Sequence, residues 1–142
     1  MRRVHLLRVE AEPRAFAPLL LAAGAAGLRV GWLELVDPPA LPEPLRAALA
    51  AGSARAVAAA EPWTLAARPR RGAPRLRELV RQQFLGCVAV LVRGSVAAPL
   101  LAPLDDGAWS LRSDDGERRL DSGQLVAALR QPRPFPPFEP LT

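Results

Sequence analysis

The chain has 142 residues, of which 50% are apolar, 23% charged and 5% aromatic, and it carries a net charge of +5 at neutral pH. That length suits one compact domain with a core that needs neither metal nor disulfide. The composition excludes a disordered tail, a collagen-like repeat and a cysteine-rich scaffold.

Lys, Ile, Asn and Tyr are absent, and all 19 basic residues are Arg. The four missing types have A/T-rich codons, so a GC-rich genome accounts for part of the Arg content. The positive charge therefore counts only in part as a sign of nucleic acid or an acidic membrane surface. Where the Arg residues cluster matters more than their number, because the guanidinium fork binds phosphate or carboxylate bidentately. Cys87 is the only cysteine, which rules out an internal disulfide. Met1-Arg2-Arg3 opens like a secretory leader, but Arg8 and Glu10 interrupt the apolar stretch too early for one. The longest uncharged run, residues 15–28, contains Pro18, Gly24 and Gly27 and is too short to span a bilayer. A soluble cytoplasmic protein without a membrane partner is expected.

Residues 4–9 form a short β-prone run. Glu12-Pro13 then marks a helix start, and the Ala/Leu-rich residues 15–26 end at Gly27, a C-terminal cap. Residues 28–36 read as a second strand whose only charges are Arg29 and Glu34, which predicts burial on both faces. Two buried strands joined by a helix make a parallel βαβ unit. A proline-rich connector over residues 37–44 leads into a helix over 44–51 closed by Gly52. Residues 55–59 and 63–67 read as two short strands around Glu61-Pro62, and a helix follows from Pro74 through Phe84. Residues 88–92 are the most apolar strand and are predicted to be central. Residues 100–104, 108–112 and 117–120 form an antiparallel meander, with Asp105-Asp106-Gly107 and Asp114-Asp115-Gly116 as its turns. Asp121 and Gln124 have the spacing of a capping box ahead of a helix carrying Leu125, Val126 and Leu129. The Pro-rich remainder is an extended, polyproline-like tail.

Pro13-Arg14-Ala15-Phe16-Ala17-Pro18-Leu19-Leu20, running on to Gly27-Leu28-Arg29-Val30, resembles the first βαβ of ACT-type regulatory domains. The resemblance implies the same strand–helix–strand beginning. Arg14 stands where that family has Gly, so no ligand pocket is carried over, and no family is assigned.

The sharpest local feature is Arg68-Pro69-Arg70-Arg71-Gly72-Ala73-Pro74-Arg75, lying between a strand and a helix. Arg68, Arg70, Arg71 and Arg75 are candidates for binding an anion or nucleic acid at a helix mouth. Against this stand a solvated Arg-rich loop as the plainer reading, the donor lost at Pro74, and the lack of a Gly-rich phosphate loop. Few aromatics lie nearby to stack on bases, and Trp32, Trp63 and Trp109 read as core or cross-strand residues. Catalysis is less favoured still. His5, the sole histidine, reads as structural and Cys87 as a buried thiol. Ser95 lies at the sheet edge where open α/β folds place their sites but lacks a nucleophile elbow. Asp105, Asp106, Asp114, Asp115 and Glu117 sit at hairpin turns, which favours solvation over metal binding. In the tail, Phe135 and Phe138 are partner-contact candidates.

The expected fold is α/β: a mostly parallel three-layer sheet with flanking helices, extended by a C-terminal antiparallel β-meander, a final helix and the tail. Residues 1–131 are one domain and residues 132–142 the tail. The expected role is a non-catalytic accessory or binding protein acting through protein–protein contacts, with another protein or a second copy as partner. The alternative is recognition of a phosphate ligand or nucleic acid through the Arg-rich loop. No cofactor or metal is expected, and an enzyme is the least favoured reading.

Overall fold

A computed structural model describes residues 4–35, 40–70, 72 and 75–131. The fold is mixed α/β: a mostly parallel main sheet, flanking helices, a C-terminal antiparallel run of strands and a final helix. The chain divides into two compact units, residues 1–35 with 80–142, and residues 36–79.

The larger unit holds a six-stranded sheet. Its parallel part comprises β1 (His5–Val9), β2 (Val30–Glu34) and β5 (Ala89–Arg93), and the antiparallel run comprises β6 (Leu100–Pro103), β7 (Trp109–Ser113) and β8 (Gly116–Leu120). The order is β2-β5-β1-β6-β7-β8. β5 pairs in parallel with both neighbours, setting Leu91 between Leu7 and Trp32. All of β5 except Arg93 is buried, as expected of the most apolar strand. β2, by contrast, is an edge strand with four half-buried residues and an exposed Glu34. Its apolar sequence suggested burial on both faces, but a strand paired on one side only keeps part of its surface near solvent.

After β1 the chain makes a short 3-10 turn (Pro13–Phe16) and continues into α1 (Ala17–Ala25), which leads to β2. α4 (Ser122–Arg130) packs beside α1 on the same face of the sheet. Between these helices and the sheet lie Leu7, Phe16, Leu19, Leu91, Leu111 and Leu125, all with no exposed surface. Burial of such a side chain contributes about 1.5–3 kcal/mol. Phe16 joins two tryptophans, stacking on Trp109 at 5.8 Å between centroids and tilting against Trp32 at 5.6 Å. The capping box opens α4: the Gln124 amide donates to the Asp121 carboxylate at 2.7 Å, and the Asp121 amide donates to Gln124 Oε1 at 2.9 Å.

Parallel strands ordinarily need a crossover of a dozen or more residues, yet β6, parallel to β5 with β1 between them, follows it after only residues 94–99. Register explains this. β6 meets β1 only at Arg8↔Leu100, so it begins where β1 ends and runs onward. The link therefore steps across the carboxyl end of β1 without returning along a whole strand. Gly94 makes the turn at φ 150°, and a Cβ there would lie 2.7 Å from that of Leu35.

The smaller unit contains α2 (Glu43–Ala50) and a two-stranded antiparallel sheet of β3 (Ala56–Ala59) and β4 (Thr64–Ala67). α2 packs on β3 and buries Leu45, and Ala56 is the buried residue of the hairpin. α3 (Leu76–Gln83) begins in this unit and ends in the larger one. Its first helical bond, from the Leu79 amide, is accepted by the Arg75 carbonyl at 3.0 Å.

Candidate functional site

Two places merit attention: the carboxyl edge of the parallel strands and the small hairpin. At the carboxyl edge, the link after β5 and the β7–β8 turn enclose an open cleft of ≈ 580 Å³. Arg8, Ser95, Arg112, Ser113, Asp114 and Asp115 supply its polar lining. Open α/β sheets commonly bind ligands at such an edge. The charges decide against a simple anion site, because two guanidinium groups face two carboxylates around the same opening. Each Arg is also engaged: Arg8 lies 2.9 Å from Glu10, and Arg112 lies 3.7 Å from Glu117. On the same edge, Glu34 accepts from Trp32 Nε1 at 2.9 Å and pairs with Arg93 at 3.4 Å.

Ser95 is placed in this cleft and is exposed. His5 sits at the opposite end of β1, buried, with Nε2 2.8 Å from the Gln131 carbonyl. Four strand residues separate the two ends, or roughly 13 Å, so this imidazole does not serve Ser95 as a base. Cys87 is half-buried, not fully buried, because β5 begins two residues later and Cys87 lies in the turn after Phe84. Among the described residues no three of His, Cys, Asp and Glu group as metal ligands. The turn acids have local work: Asp106 accepts from the Ala108 amide at 3.1 Å and pairs with Arg119.

Of the Arg-rich candidates, Arg68 and Arg70 follow β4 and are exposed, and Arg75 is exposed just ahead of α3. Arg71 lies outside the described residues, as do Phe135 and Phe138.

The hairpin has an unusual surface. Its twelve residues from Ala56 to Ala67 carry one charge, Glu61, yet Val57 is 54% exposed, Trp63 76% and Leu65 44%. Trp109 is buried in the core and Trp32 packs half-buried against it from β2, whereas Trp63 faces solvent. Among the described residues no third strand pairs with β3 or β4. A solvated, apolar strand edge is what natural sheets usually cover or protect with charge, and a two-stranded ribbon alone is marginal in water. The clue in the sequence was an uncharged pair of strands with no polar alternation to give either face to solvent.

No family model and no curated protein matches this chain. Among solved structures it is similar to two of MobB from Bacillus subtilis, each at 19% identity. One has a TM-score of 0.46 over 70% of this chain and 65% of that one. The other has a TM-score of 0.47 over 72% and 71%. This chain thus spans about two thirds of the length of those it resembles. No helix among the described residues is long and apolar enough to cross a membrane.

Proposed function

We propose that this chain is a non-catalytic binding protein that acts through protein–protein contacts made by the β3–β4 hairpin. The observation that supports the reading is the exposure of Val57, Trp63 and Leu65 beside an outer strand. An extended segment adding to such an edge gains main-chain hydrogen bonds, and flanking apolar side chains supply area and selectivity. Trp is a frequent anchor in interfaces, since it offers a large rigid surface. The cleft at the carboxyl edge is a weaker candidate because its lining charges balance and its arginines already have carboxylate partners.

A photo-crosslinking residue at position 63, introduced in the source organism, tests the reading. Protein adducts are expected at 63 and not at Leu21, an equally apolar position that is 73% exposed. Adding Ala66→Pro, which blocks strand addition, should abolish them. Equal labelling at 63 and 21, or adducts indifferent to the proline, would overturn the proposal.

A further inference from the structure

The partner for this edge, we infer, is a second copy of the chain, with β4 of each copy pairing antiparallel across a two-fold axis centred on Leu65. This rests on the proposed use of the hairpin for protein contacts and names its occupant.

The register of the hairpin identifies the outward-facing backbone. The Ala60 amide donates to the Trp63 carbonyl at 3.1 Å, so residues 60 and 63 face each other's hydrogen-bonding groups. Hydrogen-bonded and non-bonded pairs alternate along an antiparallel ladder. Leu65, opposite Ala58, therefore bonds inward, while Thr64 and Ala66 direct their N–H and C=O groups outward from β4. Face packing by α2 falls on β3, which leaves β4 as the outer strand away from that helix.

Two-fold symmetry then limits the pairing. Residues directly opposite must lie on the same sheet face, so the axis must pass beside a residue, with that residue facing its own copy. Centring on Leu65 matches Thr64 with the copy's Ala66 twice, which gives about four ladder hydrogen bonds from the outward groups. It also sets Leu65 against its own copy and Trp63 against the copy's Ala67, on one face.

Charge supports the same partner. The open end of the hairpin is basic, with Arg55 before β3 and Arg68 and Arg70 after β4, and the turn carries Glu61. Antiparallel pairing brings the basic end of each copy beside the acidic turn of the other. The ladder residues between are uncharged, so the net charge of the chain does not oppose contact there. Parallel pairing would instead place the basic ends together.

Sedimentation equilibrium of the full chain tests this, with circular dichroism to check that each variant folds. The chain, 15.2 kDa as a monomer, is expected to reach twice that mass as concentration rises. Ala66→Pro removes an outward N–H and no bond within the hairpin, and should weaken association at least about tenfold. Leu65→Lys should do likewise, because two like charges would face each other across the axis. Mixing Leu65→Lys with Leu65→Glu should restore a heterodimer, as expected when residue 65 faces its own copy. A monomer at all concentrations, association indifferent to Ala66→Pro, or a charge-swapped pair no better than either variant alone would each overturn the inference. A monomer that still forms position-specific adducts with other proteins would leave the binding role standing and remove only the self-pairing.

Discussion

Gly31→Ala gives a direct test of how β2 is packed. A Cβ at position 31 would lie 2.3 Å from Phe84 Cδ1 and 2.7 Å from Cε1. Carbon atoms prefer about 3.5–4.0 Å, so the ring must retreat by more than about 1 Å. The obstructing atoms belong to the body of the ring, close to its root. Phe84 is held in place at both backbone groups, its amide donating to the Val80 carbonyl at 3.1 Å and its carbonyl accepting from the Cys87 amide at 3.1 Å. Overpacking of this kind costs about 1–3 kcal/mol, a fall in Tm of roughly 3–10 °C for a chain of this length. Urea unfolding followed by tryptophan fluorescence is the assay, with Trp32 adjacent to the substitution. In a Phe84→Leu background the obstacle is gone, and the added methyl should be neutral or slightly stabilising, because Ala loses less backbone entropy than Gly in a strand. The double-mutant cycle should therefore show coupling of about 1 kcal/mol or more. Strictly additive effects, or no cost for Gly31→Ala in the native background, would refute the close approach of the ring to β2.

Two further substitutions probe the last helix. Asp121→Ala removes the cap acceptor at the start of α4 and should cost about 1 kcal/mol in chemical denaturation, while Asp121→Asn should cost little. Ser122→Ala deprives the Trp109 indole N–H of its acceptor at 2.9 Å. With Trp109 only 2% exposed, stability should fall by about 1–3 kcal/mol. Ser122→Thr, which keeps the hydroxyl, should lie close to the parent in the same measurement.

The candidate sites were unevenly legible. Ser95 could be placed at the carboxyl edge because it follows the most apolar strand by a few residues. Arg8 and Arg112 could not be joined to it, since they lie on β1 and β7 and meet around the cleft only through the β5–β6 link crossing the end of β1. The two hairpin strands were readable from Ala, Val and Leu on either side of Glu61-Pro62. Their exposure was not, because an apolar strand with no alternation reads equally as buried.

Local chemistry wrote much of this fold into the chain. The Asp121–Gln124 box, the Asp-rich turns of the meander and the Gly-terminated helices depend on groups within about four residues of one another. Such interactions are set before any distant segment arrives. Strand order is different. β5 separates β1 from β2 through pairings such as Leu7↔Leu91 and Trp32↔Leu91, between residues far apart in sequence, and any apolar strand could have competed for that place. Only the assembled sheet decides which strand is enclosed and where β6 can start, and only the folded hairpin shows that its apolar residues Val57, Trp63 and Leu65 are exposed.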